Sequence, residues 1–356
     1  MTPVKWVYSF LEKYRYKMAA GLLMVTGIAL LTIVNPYISG RIVDDVITGG
    51  NYKLLPVLIG CLLGVVALKG ILRYASQVMF EICSQGVLYS MRDAVYRKLL
   101  QEDFSFYNKN RTGDLMSRQT GDMDAIRHFI AYIIYSVYEN ILLLSFALIM
   151  IFTVNVKLAL AMLVVLPFTA LTTYGQSKSV RPAFMKIRQQ FSSLNTFVQE
   201  NISGNRVVKA FAREDFEIEK FNKENDAYRD AELNAAAIWK KYVPIFEFLS
   251  NILTVVLMLY GGYMVIQGEI TMGNLVTVNG YLWMLTVPLR MAGWWINDIH
   301  RFTTSAEKIY TTYSQEPEIQ EPQQPIVRKH FHGDVEFKNV SYQAEDADII
   351  HDISFK

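Results

Sequence analysis

The sequence predicts an all-α membrane protein: six transmembrane helices with long cytoplasmic extensions, followed by a short β segment. Three observations carry that prediction. Hydrophobic residues make up 52% of the 356 positions and charged residues only 19%, below the roughly 25% charge of soluble domains. The apolar residues gather into blocks long enough to cross a bilayer, which takes about 20 helical residues. Basic residues crowd alternate connections between those blocks. A formal net charge of +2, from 35 basic and 33 acidic residues, leaves no nucleic-acid surface, and the apolar content excludes disorder.

Six blocks meet the length requirement: about 18–36, 54–75, 129–153, 157–175, 244–266 and 271–289. The first follows Lys5, Lys13, Arg15 and Lys17 in the manner of a signal peptide. Its apolar run is too long for that and no A-x-A site follows, so it reads as a retained span. Ahead of it, Trp6, Val7, Phe10, Leu11 and Tyr14 share one helical face beside lysines, which predicts an interfacial elbow helix over 1–17. Cys61 and Cys83 fall on one predicted helix, about 33 Å apart at its rise per residue, beyond disulfide reach. The five histidines make no zinc pattern, and no metal site is expected.

Charge sets the orientation. The connection after span two carries Arg92, Arg97, Lys98, Lys109, Arg111, Arg118 and Arg127. The one after span four is richer still, from Lys178 to Lys241, whereas the opposite connections hold little beyond Arg41, Lys53 and Lys157. Both termini are therefore expected in the cytoplasm, in a multi-pass protein of the plasma membrane. Each basic connection is long, nearly free of proline, and keeps a helical apolar stripe such as Val87, Met91, Val95 and Leu99. Span two is expected to run on from about 54 to 107, and span four to continue past an Arg181-Pro182 break to about 210. The two connections become helical hairpins reaching roughly 40 Å from the membrane.

The hairpin tips lie at 110–124 and 204–217. Glycines allow each chain to turn, and Thr112, Asp114 or Thr120 is expected to cap a short crosswise helix. Leu115, Met116, Phe211 and Phe216 are apolar side chains that need cover, so a cytoplasmic partner is expected.

At these tips the sequence resembles the transmembrane half of an ABC exporter of the six-span, domain-swapped type. "TGDLMSRQTGDMDAIR" is similar to that family's first intracellular loop and "ENISGNRVVKAFAREDFEIEKF" to its second. "ITMGNLVTVNGYLWMLTVPLR" with the later "SAEKIY" is similar to its sixth span and exit helix. The resemblance implies a half-exporter working with a second copy or a different half, with coupling residues Asp114, Leu115, Ser117, Arg118 and Asp122 at the first tip and Arg213, Glu214 and Phe216 at the second. It also implies membrane lipids and a small amphipathic substrate as partners, and no nucleic acid.

After a Pro/Gln-rich linker over 315–329, "GDVEFKNVSYQAEDADIIHDISFK" alternates like two strands joined by a turn. It resembles the opening strands of the family's nucleotide-binding domain, so 330–356 is expected to be the start of one. No G-x-x-x-x-G-K-[ST] phosphate loop occurs in the sequence, and two strands do not make a stable domain. Either the gene stops short, or the sequence is part of a longer chain, or a separate chain supplies the ATPase. ATP and Mg would then bind to that remainder and not to this chain alone, and no catalytic residue is expected here. The resemblance places adenine stacking at Ala344, which is not aromatic; Tyr342, at the neighbouring aromatic position, is expected in the strand core.

Ionisable groups inside a membrane face a cavity or a partner. Glu139, followed by Asn140, sits mid-way along span three, and Glu247 lies low in span five. For Glu139, lining a cavity and pairing helices stand equal; a cavity would suit amphipathic and often cationic substrates. Lys69 and Arg73 are expected to be structural, with long side chains that snorkel. Trp283, Trp294 and Trp295, with Tyr281 and Phe246, are candidates to line an inward-facing pocket, or else an interfacial belt. The alternative class is a secondary transporter or channel relaying ions through Glu139, Lys69 and Glu247; it leaves the hairpins without a purpose.

Overall fold

A computed structural model describes residues 2–317, 330, 333–344 and 347–356. They divide into two units, 1–100 with 110–315, and 101–109 with 316–356.

In the first unit, α1 (Pro3–Leu11) starts at Thr2, whose hydroxyl accepts the Lys5 amide. α2 (Arg15–Arg41) runs on through a π-helical turn over Ile42–Thr48. α3 (Leu55–Gln101) is a single 47-residue helix, about 70 Å long at the ordinary rise. After the short α4 (Phe104–Lys109) of the second unit come α5 (Thr112–Ser117), α6 (Met123–His128) and α7 (Ile134–Val154), joined by π-helical turns over Arg118–Asp122 and Phe129–Ile133. Asn155 breaks the path and caps α8 (Val156–Leu163) by accepting from the Lys157 and Leu158 amides. α9 (Val165–Ser203), α10 (Asn205–Ala210), α11 (Glu214–Val256) and α12 (Gly262–Ile266) follow, and Thr271 caps α13 (Met272–Ser314).

Among the described residues, five helical stretches are long and apolar enough to cross a membrane: Pro3–Thr48, Tyr52–Gln101, Thr112–Val154, Val156–Ser203 and Glu214–Ile266. The sixth predicted block falls in α13, which has the length but a more polar composition, with Asn274, Thr277, Asn279 and Thr286 along it. Its position explains the difference. Val278, Tyr281, Met284 and Leu285 on α13 are at most 1% exposed, and a helix enclosed by others presents little surface to lipid. Its polar groups bond across to α2, Tyr281 Oη donating to the Ile33 carbonyl at 3.0 Å and Thr277 Oγ1 to that of Pro36 at 3.3 Å.

α13 threads two apolar cores. One gathers Ala29 and Ile33 of α2, Leu143 and Ala147 of α7, Leu158 of α8 and Leu253 of α11 around Val278 and Leu285. The other gathers Trp6 of α1, Val25 of α2, Phe80 and Met91 of α3 and Ile126 of α6 around Phe302 and Ile309. α2 and α13 approach so closely that glycine is required. A Cβ on Gly40 would overlap Thr277 Oγ1 and lie 2.5 Å from the Gly273 carbonyl, and one on Gly280 would lie 2.6 Å from Pro36 Cβ. Asp44 closes this contact, accepting from Gly273 N at 2.7 Å and Thr271 Oγ1 at 2.5 Å.

Several expectations need correction. Within the expected 1–17, the α-helix covers Pro3–Leu11 and α2 already begins at Arg15, and the apolar residues of α1 meet protein: Trp6 and Val7 are 4% and 3% exposed, and the Trp6 ring lies 4.9 Å from that of Tyr313. Span two does not continue to 107. It stops at Gln101, and Asp103 starts a new helix by accepting from Ser105 Oγ and Phe106 N. Pro182 does not break α9, which stays helical through it while packing along α11, with Ser179 and Tyr242 hydroxyls 3.2 Å apart and Phe191 near Tyr228.

The second unit holds α4 and an antiparallel pair, β1 (Phe337–Ala344) with β2 (Ala347–Phe355). Phe337 faces Phe355, their rings stacked at 4.4 Å, and Tyr342 faces Ile350. Irregular register coincides with left-handed backbone at Asn339 and Asp352; Ser354 Oγ donates to Asn339 Oδ1 and accepts the Asn339 amide. Tyr342 is 57% exposed, not the core residue expected. The greater part of the predicted linker, 318–329, and the side chain of Ala344 lie outside the described residues.

Gly40→Ala is expected to lower stability by about 1–3 kcal/mol through overpacking against backbone that cannot retreat. Gly60→Ala, where a Cβ meets nothing, should leave it unchanged or slightly raised. Thermal melting of the detergent-purified variants checks both, and equal midpoints would contradict the close contact.

Candidate functional site

The charged residues of the apolar helices come together across α3 and α7. Arg73 Nη1 donates to Glu139 Oε2 at 2.6 Å and Nη2 to Oε1 at 2.5 Å. This bidentate fork uses both carboxylate oxygens. Glu139 is 8% exposed, so of its two expected roles the geometry supplies helix pairing, and its charge is neutralised within the chain. Asn140 donates to the Ser136 carbonyl of its own helix. Lys69 lies one turn from Arg73 and makes no ion pair or hydrogen bond among the described residues.

Lys69 instead lines a cavity of about 360 Å³ between α2, α3 and α13, with Asn35 and Pro36 on one side and Asn279 and Trp283 on the other. Trp283 is 46% exposed and is the one predicted pathway residue on this wall. Tyr281 and Phe246 are buried, at 0% and 6%, and face no open space. Trp294 is 64% exposed, Trp295 half-buried and Glu247 exposed; the structure does not gather them with Trp283. The sequence singles out Lys69 only as a structural or ion-relay residue, and Asn35 and Asn279 not at all. The available signal was polar side chains interrupting apolar blocks, and only folding shows that they share a wall.

The two tips are built differently. At the first, Leu115 is already buried at 5%, while Met116 is 62% exposed; Asp114 and Ser117 are exposed. The expected cap is absent. Arg111 precedes α5 without a side-chain bond, and Thr120 donates back to the Met116 carbonyl. Arg118 Nη1 donates to Thr312 Oγ1 at 2.5 Å, and Asp122 Oδ1 accepts from Ser305 Oγ at 2.8 Å with Lys308 Nζ 3.8 Å away. Arg118 and Asp122 thus tie this tip to α13.

The second tip turns at Gly204 into α10 and leaves through Ala212 in left-handed backbone. Val207, Phe211 and Phe216 are 60%, 74% and 48% exposed. Lys209 pairs with Glu214 at 3.2 Å. Arg213 and Lys220 stand over the Phe216 ring at 5.9 and 4.4 Å from its centre, within cation–π reach. The result is an apolar and aromatic surface framed by charge, at the end of the α9–α11 pair.

Residues 18–289 match the ABC transporter transmembrane region. The chain belongs to that family. It is accordingly a multi-pass membrane protein, and the match extends into α13. Among curated relatives, it is 35% identical over 349 residues to the uncharacterized ABC transporter ATP-binding protein YknU of Bacillus subtilis, covering 96% of this chain and 59% of the relative. It is 25% identical to an ATP-dependent lipid A-core flippase of Syntrophus aciditrophicus, covering 96% and 56%. It is also 25% identical to the multidrug resistance-like ATP-binding protein MdlA of Escherichia coli, covering 97% and 58%. The chain therefore spans less than two thirds of the length of these ABC relatives.

Removing one partner of the fork strands the other charge among apolar neighbours. Arg73→Met is expected to destabilise this ABC transmembrane region on the order of 3 kcal/mol or more, and Arg73→Met with Glu139→Leu to recover a large part of it. A double-mutant cycle on thermal melting measures the coupling; additive losses would show that the pair does not join the helices.

Proposed function

We propose that the chain is the membrane-spanning half of an ATP-driven ABC exporter, carrying an amphipathic substrate and taking its energy from nucleotide-binding domains docked at the hairpin tips. The observation that carries this reading is the second tip. Val207, Phe211 and Phe216 are exposed there at the end of a long helical pair, and a tip that met only water would gain nothing from apolar side chains. The relatives, ATP-binding proteins, a lipid flippase and a multidrug-resistance type by name, support it.

In this reading both termini and both tips face the cytoplasm, and a second half-transporter, identical or different, completes the pathway. ATP and Mg bind to the nucleotide-binding domains, of which β1 and β2 are the first strands, and this chain alone hydrolyses nothing. The first tip, bonded to α13 through Arg118 and Asp122, moves with that helix. The second presents Arg213, Glu214 and Phe216 to the ATPase. A charge relay through Glu139 finds little support, since its carboxylate is held by Arg73.

Two outcomes are expected. Cysteines introduced at Asn51 and Gln267 should react with an impermeant reagent from outside, and those at Asn110 and Asn222 should be protected; external labelling of either hairpin would overturn the orientation. In the protein assembled with its ATPase domains, Phe216→Ala should cut substrate efflux from vesicles about tenfold or more, roughly the loss of one buried aromatic anchor, while ATP hydrolysis persists. Unchanged coupling would remove the second tip from the mechanism.

A further inference from the structure

We propose that the cavity between α2, α3 and α13 binds the acidic headgroup of a membrane amphiphile through the Lys69 ammonium. The proposal names the substrate class for the exporter reading and rests on that reading only in treating the occupant as cargo.

The first argument is charge. Lys69, Arg73 and Glu139 together carry one net positive charge, and the Arg73–Glu139 fork consumes both carboxylate oxygens. The remaining charge is the Lys69 ammonium, which lines the cavity without an ion pair or hydrogen bond among the described residues. An unpaired cation inside an apolar helix is unfavourable unless an anion or water meets it. A cation-binding pathway, the expectation drawn from Glu139 alone, is thereby reversed in sign.

The second argument is the hydrogen-bond inventory. Three ammonium protons on Lys69, the side-chain amide of Asn279 and the indole N–H of Trp283 are donors with no acceptor among the described residues. The hydroxyl protons of Thr32 and Ser39 are already given to the Ile28 and Asn35 carbonyls. The wall is rich in free donors, as a phosphate or carboxylate requires. One buried acceptor, Asn35 Oδ1, has no partner, which suits an acidic headgroup that also carries a hydroxyl.

The third argument is access. The most apolar stretch of α3 buries none of its residues within the chain, and Val66, Leu68 and Ile71 beside Lys69 are 56%, 48% and 65% exposed. The Lys69 wall therefore opens onto an apolar surface that the chain's own core leaves uncovered, and Val276, Met284 and the Trp283 ring continue the apolar lining inside. These features select a bilayer amphiphile over a free aqueous anion.

The test uses lipid binding without ATP, so a failure of transport leaves its result standing. The full chain and its Trp283→Phe variant are placed in phosphatidylcholine vesicles doped with brominated phosphatidylglycerol or brominated phosphatidylcholine. The difference between the two proteins isolates quenching at Trp283. Brominated phosphatidylglycerol should quench it with about fivefold higher apparent affinity, the scale of one lysine near acidic lipid. Lys69→Gln should bring the ratio to one and Lys69→Arg should preserve it. Asn279→Asp, which adds a negative charge to the same wall, should also lower the ratio and serves if Lys69→Gln does not fold. A ratio of one in the unmodified chain, as when neutral lipid or a second copy of the chain fills the cavity, would overturn the proposal, and so would a preference that survives Lys69→Gln.

Discussion

The backbone contact between α2 and α13 is the constraint on which the rest of the first unit depends. Gly40 lies against the Gly273 carbonyl beside the Thr277 hydroxyl, and Gly280 lies against the Pro36 ring, with no room for a Cβ at either glycine; Asp44 holds the end of the contact by two hydrogen bonds. Because α13 threads both apolar cores, its position relative to α2 sets where α7, α8 and α11 pack at one end and α1, α3 and α6 at the other. The same contact makes the cavity: Pro36 and Gly280 lie in its wall, and beside them the helices part enough to leave space in front of Lys69.

Electrostatics inside the helices works by subtraction. The many exposed pairs, such as Arg97 with Asp93 or Lys157 with Glu269, contribute at most about 1 kcal/mol each in water. The Arg73–Glu139 fork is different because its alternative is an uncompensated charge in an apolar setting. By neutralising Glu139 it also leaves Lys69 to define the character of the cavity. The two tips show a comparable division. Arg118 and Asp122 hold the first tip to α13, while the second keeps its aromatic residues outward and its charges around them.

How far the sequence was legible depended on whether the signal was local. Apolar block length is a local quantity, and every predicted span has a helix. α13 shows the limit: its polar interruptions lower its apolarity because it lies inside the bundle, not because it ends early. The Pro182 break was expected from a local rule and does not occur, since α9 packs along α11 on both sides of it. Leu115 was read as exposed because a tip sequence carries no record of what folds back over it.

By itself the sequence determined the membrane class, the span positions, the alternation of basic connections and the composition of the tips, because each follows from bilayer thickness, helical period or the cost of burying charge. Only the tertiary structure decided which charges cancel. Glu139 and Arg73 are 66 residues apart in the chain; Glu139 could have met Lys69 instead, and either could have met a substrate or water. Their pairing, the covering of Trp6 by α13, and the meeting of Asn35, Lys69 and Asn279 on one wall all arise from helices brought together by packing, and helix packing joins residues at distances in sequence that no periodicity encodes.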